Sequence, residues 1–379
     1  MPRTHHVYLV PGFFGFANLG QLAYFGHVRR VLAAELPALG AKAQIHVVRT
    51  QPTASLTQRA ARLAEAIAES GRGSGSIHLI GHSSGGLDAR LLASPGALLP
   101  ARVPFERLLP RLRSVVTVAT PHRGTPLASS FATLRGQRLL QLLSLGTIHV
   151  LHVGRLPISV LLRLGGILAR AGDRGIGSDL VDEIFASLLA DFSVGRRRAV
   201  RALLHDVVRD QSLLLQLTPE AMDLFDAVVR DRPGVRYGCV VTEAAPPGLR
   251  STLAAGLDPA AQATHAIYGA LHRLASATPE RHVPALAPAA SRTLRRALGA
   301  APSPAANDGI VPTRSQVRGR IVDAVRADHL DVLGHFRDGA NDPPHVDWMM
   351  SGSRFDRPRF ERLWRAVARF VVRSASARS

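Results

Sequence analysis

One pentapeptide, Gly81-His82-Ser83-Ser84-Gly85, carries residue types for nucleophilic catalysis at the spacing of a sharp strand-to-helix turn, G-x-S-x-G. Such a turn strains the backbone of its serine, and small residues two before and two after it avoid clashes. The serine oxygen then stands clear of the chain. Only one frame fits, because Ser84 has His82 rather than glycine two residues before it. Ser83 is therefore the candidate nucleophile. A serine hydroxyl is a poor nucleophile near neutral pH. It needs a base to take its proton, and the base needs a carboxylate to fix its tautomer and stabilise the imidazolium. The chemistry implied is acyl transfer through a covalent acyl-enzyme.

Asp308, in Asn307-Asp308-Gly309, and His329, in Asp328-His329-Leu330-Asp331, follow Ser83 in the chain. Asp308 lies in a loop just before the last expected strand, and His329 just after that strand. Asn307-Asp308-Gly309 is also an ordinary turn sequence. There are sixteen histidines, and His335 and His345 are the nearest rivals for the base. His329 is preferred because a base directly after the last strand has the required reach. Asp323, Asp328 and Asp331 are poorer acids: the first would lie inside the strand, and the other two adjoin the histidine too closely. An oxyanion hole needs two backbone N–H groups. One should come from Ser84. The other should come from the loop after the first strand, at Phe13 in Pro11-Gly12-Phe13, where Gly12 lets the backbone approach a substrate.

These residues need elements to position them. Strands are expected at His5 to Val10, Gln44 to Thr50, the elbow strand from Ser76, Ser114 to Ala119, Val235 to Thr242 and Arg320 to Ala327. Helices are expected between them, one from about Leu19 to Leu36 closed by Pro37 and Gly40, and one with apolar residues at Leu56, Ala60, Leu63 and Ile67. Strands alternating with helices argue for a parallel sheet with its site at the carboxyl ends of the strands. The rhythm breaks from about Pro126 to Arg232, where leucine-rich helical segments replace strands. Thr218 and Pro219 mark one helix start there. A last helix is expected from about Asp356 and a frayed tail from Ser374 to Ser379. The expected organisation is α/β: about six mostly parallel strands, with a core in two parts, 1–125 and 234–379, and a helical cap or lid over 126–233.

Composition bounds the function. The chain has 379 residues, is 46% hydrophobic and has a net charge of +19. Lys42 is the only lysine, so the basicity is arginine. Codon bias explains that blandly; an anionic membrane or lipid surface explains it functionally. No basic block has interleaved aromatics, so nucleic acid is not an expected partner, and no obligate protein partner is evident. The lone Cys239 excludes an intramolecular disulfide and a cysteine metal site. No signal-peptide pattern is visible, which leads to the expectation of a cytoplasmic protein. The apolar run from Leu139 to Gly154 is too short to span a bilayer.

Six stretches in order resemble bacterial triacylglycerol lipases of the α/β-hydrolase superfamily, the group related to the true lipases of Pseudomonas and Burkholderia. They are 7–15, 79–86, Ala119-Thr120-Pro121-His122-Arg123-Gly124, 217–222, Asn307-Asp308-Gly309-Ile310-Val311-Pro312 and Asp328-His329-Leu330-Asp331. The resemblance implies Ser83 as nucleophile, Asp308 as acid, His329 as base, and Phe13 and Ser84 as oxyanion donors. It implies a lipase or esterase acting on esters with apolar acyl chains, without a cofactor. A short-chain carboxylesterase or polyester depolymerase would use the same residues, and a membrane-surface binding protein retaining the fold is the non-enzymatic rival. The family usually has His-Gly in the first loop, where this chain has Pro11-Gly12, so the bracing of that loop must differ. Many relatives hold a structural calcium near the catalytic histidine. Asp331 matches one of its carboxylates, but His335 stands where relatives offer an amide oxygen, which disfavours the ion. His122, Asp88 and Arg90 are expected to be structural.

Overall fold

The computed structural model describes residues 4–13, 24–71, 75–132, 145, 159–160, 163, 178–195, 197–198, 200–201, 210–337, 347 and 349–376. Six strands, β1 (His5–Val10), β2 (Ala43–Val47), β3 (Ser76–His82), β4 (Leu112–Val118), β5 (Arg236–Glu243) and β6 (Arg320–Arg326), form one sheet in the order β2-β1-β3-β4-β5-β6. Every pairing is parallel. Parallel strands are covered on both faces, so they read as continuous apolar runs. Val7, Tyr8, Leu9 and Val10 are accordingly all fully buried.

The helices are α1 (Gly26–Ala38), α2 (Leu56–Ser70), α3 (Gly85–Ala93), α4 (Pro126–Phe131), α5 (Ser178–Ala190), α6 (Ser212–Gln216), α7 (Pro219–Val228), α8 (Leu249–Ala255), α9 (Pro259–Ala275), α10 (Pro288–Leu298) and α11 (Arg357–Ser376). One face of the sheet packs on α1 and α11 through Val28, Leu32, Leu363, Trp364 and Val367. The other packs on α2 and α3 through Leu63, Ile67, Ala89 and Leu92, and on α10 through Leu294 and Leu298. Cys239 lies on this second face, and burial pushes its thiol up to about 12, which leaves it inert.

Some strand ends shift by one to three residues from the sequence expectation, the most at β2, which stops at Val47 rather than Thr50, and two helix ends differ as well. Pro37 sits inside the last turn of α1 rather than ending it. A proline there forfeits a single amide bond, and the true stop is Gly40, whose φ of +75° reverses the chain. The final helix continues to Ser376 because Val371 and Ser374 are still buried. The start expected near Leu19 lies outside the described residues, as does most of 133–177.

Among the described residues of 126–233 there is no strand, and no helix of the described chain is long and apolar enough to cross a membrane. The later part of this region is tied to the core. The Leu213 amide donates to Thr53 O, the Thr125 amide to Leu217 O, and the Leu56 amide to Gln216 Oε1. Thr218 caps α7 through the Ala221 amide, as its sequence predicts.

Candidate active site

β3 lies between β1 and β4 and delivers Ser83 at its carboxyl end. Ser83 has φ +55°, a left-handed conformation that costs a residue with a Cβ about 1–3 kcal/mol. The surroundings hold it there. Its amide donates to Val118 O at 2.8 Å. A Cβ on Gly81 would stand 2.3 Å from the Gly85 carbonyl, and one on Gly85 would stand 2.2 Å from Val10 O. The elbow can therefore close only with glycine at both positions. Gly86 is pressed against Thr120 in the same way. Ser84 is the N-cap residue of α3 and is fully buried, with its hydroxyl unpartnered.

Asp308 and His329 come from the loops on either side of β6. Their backbones are joined, with the His329 amide donating to Asp308 O at 3.0 Å. Their side chains are joined too: His329 Nδ1 donates to Asp308 Oδ2 at 2.9 Å, and both groups are buried. The other oxygen, Oδ1, accepts the amides of Ile310 at 3.0 Å and Val311 at 2.7 Å. Oδ2 also accepts Thr242 Oγ1 at 2.7 Å and Gln316 Nε2 at 3.2 Å. Gly309, at φ +94°, makes the turn that folds these amides back onto the carboxylate. The loop after His329 is gripped from outside by α11, where Trp364 Nε1 donates to Val332 O at 2.9 Å.

The serine and the histidine are linked through His82. Its ring centroid lies 4.7 Å from that of His329. Nε2 faces the His329 carbonyl oxygen at 2.9 Å, so Nε2 carries the proton. Nδ1 is then an acceptor, and Tyr24 Oη donates to it at 2.7 Å. Burial holds the His82 ring well below the usual histidine range, with His329 adding to the effect. Tyr24 Oη in turn accepts the Gly12 amide at 3.2 Å. This is the different bracing that Pro11-Gly12 required: a tyrosine ties the first loop to the elbow. Among the described residues no hydrogen bond joins Ser83 Oγ to the His329 ring.

The first loop touches Ser83, the candidate nucleophile. A Cβ on Gly12 would lie 2.5 Å from Ser83 Cβ and 3.1 Å from its Oγ. Phe13 follows directly and is buried; the loop beyond it, 14–23, lies outside the described residues. Arg59 fixes the loop from behind. It is fully buried, with Nη2 donating to Pro11 O at 2.7 Å and to Asp88 Oδ2 at 2.8 Å. Even with this partner, burial pushes the Asp88 carboxyl up to about 6. Arg90 pairs with Asp226 at 2.7 Å and contacts His122 at 3.1 Å, so these residues form a structural network beside the elbow.

The rival residues are placed elsewhere. His335 follows the short turn Asp331–Leu333, with its amide on Leu330 O. His345 lies outside the described residues. Asp323 is in β6, where it caps the Ala324 amide. Asp328 accepts the Leu330 and Asp331 amides on Oδ1 and Ser351 Oγ on Oδ2. Tyr24, Arg59, Thr242 and Gln316 escaped the sequence reading. No motif marks them, since each acts across a fold contact.

Asp331 was the calcium candidate. Its Oδ2 already accepts the Asp328 amide at 2.9 Å and Ser353 Oγ at 2.7 Å. Burial and the neighbouring Asp328 and Asp347 push its carboxyl well above the usual range. Among the described residues no group of three histidine, cysteine or carboxylate side chains can hold a metal.

No family model matches the chain, and no curated protein matches it. Solved structures do. Lipase 1 from Pelosinus fermentans is similar at 15% identity, covering 100% of both chains with a TM-score of 0.54. The fold is that of an α/β-hydrolase. A metagenomic carboxyl esterase is similar at 19% identity over 97% of this chain and 75% of its own, with a TM-score of 0.48. Staphylococcus hyicus lipase is similar at 15% identity over 98% of this chain and 96% of its own, also at 0.48. The likeness, at low sequence identity, shows the fold.

Proposed function

We propose that the protein is a serine carboxylic-ester hydrolase of lipase or esterase type. The observation that carries this reading is the buried Asp308–His329 pair, 2.9 Å apart, at the same sheet edge as a serine held at φ +55°. His329 Nδ1–H donates a hydrogen bond to the Asp308 carboxylate, so the unprotonated Nε2 is left as the base. In the reading, Nε2 takes the Ser83 proton as Oγ attacks the ester carbonyl. The oxyanion is received by the amides of Ser84 and Phe13. His329 returns the proton to the leaving alcohol, and water repeats the sequence on the acyl-enzyme.

Apolar acyl chains are the favoured substrates. Leu127, Phe131, Leu188, Leu213 and Met222, all from the helices of 126–233, lie in one continuous buried apolar cluster with Phe13 and the sheet, which supports the reading. The same helices would form the cap over the site. The finer kinship with Pseudomonas and Burkholderia lipases rests on the six sequence stretches alone.

A fluorophosphonate probe tests the reading directly. Folded wild-type protein should be labelled, and Ser83→Ala should not. Absence of labelling in wild type would remove the enzyme reading and favour a binding protein. A p-nitrophenyl ester series then sets the substrate class. Activity that collapses beyond short acyl chains would favour a short-chain esterase.

A further inference from the structure

We propose that Gln316, with Thr242, is a positioning residue that aims the Asp308 carboxylate at His329 and moderates the pull of its charge on the imidazolium proton. The proposal rests on the reading of Asp308 as the acid. Gln316 is fully buried in the short turn Thr313–Gln316. Its amide orientation is dictated by its neighbours. Oε1 faces the Thr242 amide at 2.7 Å, which can only donate. Nε2 faces Asp308 Oδ2, Thr242 O and Val311 O, each at 3.2 Å and each an acceptor. A flipped amide would point oxygen at three acceptors, so the donor must face Asp308.

The Thr242 hydroxyl has one proton and two acceptors, Asp308 Oδ2 at 2.7 Å and Gln316 Oε1 at 3.0 Å. Oε1 is already filled by the Thr242 amide, so the hydroxyl serves the carboxylate. Oδ1 is filled by the two amides of the Asp308 loop. The carboxylate is therefore clamped from four sides, and His329 Nδ1 completes the fifth contact. The turn bearing Gln316 is itself pinned. Thr313 Oγ1 donates to Thr242 O, and Ser315 Oγ to Gly124 O. No motif requires glutamine here; a glutamate of the same shape would lose the amide donor and set a second carboxylate against three acceptors.

The test is the pH dependence of kcat/KM for p-nitrophenyl butyrate in the full chain, for Gln316→Ala, Gln316→Glu and Thr242→Val. Each variant removes a donor or adds a negative charge beside Asp308. The carboxylate then holds the imidazolium proton more tightly, and the acid limb of the profile moves to higher pH. At pH 7 kcat should fall about tenfold, with KM changed less than about twofold. A purely structural role predicts activity lost in proportion to the unfolded fraction, with the limb unmoved. Gln316→Ala opens a cavity and could unfold the protein; Gln316→Glu and Thr242→Val keep the volume and decide the matter. Asp308→Asn is run alongside. If it turns over like wild type, the acid reading itself fails. If it is inactive while the folded Gln316 and Thr242 variants keep the wild-type limb, only the present proposal is overturned.

Discussion

Arg59→Met is the sharpest perturbation of the scaffold behind the first loop. The native guanidinium makes buried contacts to both Asp88 oxygens and to Pro11 O, and a part-buried one to Gln51 O at 2.7 Å. Methionine fills similar space but leaves a buried carboxylate alone. Breaking a buried pair from one side costs about 3–5 kcal/mol, a large share of a total near 5–15 kcal/mol. The pH dependence gives the reasoning a second handle. The folded Asp88 carboxyl is already raised to about 6, so folding favours its protonated form. Its contribution to stability therefore falls as pH rises from about 4 through 6. Without Arg59 the carboxyl is pushed higher still. Arg59→Met should be about 3–5 kcal/mol less stable than wild type at pH 8. Once Asp88 is protonated near pH 5, mainly the orphaned carbonyls remain, and the deficit should shrink to about 1–3 kcal/mol. Urea denaturation at both pH values measures this, and Arg59→Met/Asp88→Leu should recover part of the loss at pH 8. A deficit under about 1 kcal/mol at pH 8, or one equal at both pH values, would refute the account.

Three further outcomes follow from the same geometry. Gly12→Ala places a Cβ 2.5 Å from Ser83 Cβ and 3.0 Å from His82 O. Steady-state kinetics should show a loss of more than about 100-fold in kcat, and a fully active variant would mean that the loop does not approach the nucleophile. His329→Ala should abolish turnover while His335→Ala retains much of it; the reverse result in the same assay would reassign the base. At the other end of the sheet, His78 is held down to about 3 by burial, and His5, His6 and His46 are also lowered by burial. Histidines depressed on folding favour the native state above about pH 6.5 and lose that contribution as pH falls towards their folded values. Thermal melts should show stability declining below pH 6.5, and His78→Asn should flatten the decline.

Local sequence determined more of this protein than its weak similarity to known proteins suggests. Ser83, its flanking glycines, the strand His5–Val10 and the Thr218-Pro219 helix start are readable because a turn, an unbroken apolar run or a cap acts within a few residues. Asp308 and His329 were readable as candidates because chain order and strand ends place them. The sheet order, with β1 between β2 and β3, was not readable, nor were Tyr24, Arg59, Thr242 and Gln316. These side chains act on residues 8 to 74 positions away in the chain. Such contacts have no periodicity and no spacing, because packing rather than the local backbone brings the partners together. Sequence therefore supplied the candidate reacting groups. Only the tertiary structure decided what holds them: a tyrosine tying the first loop to the elbow, a buried arginine behind that loop, and a glutamine against Asp308.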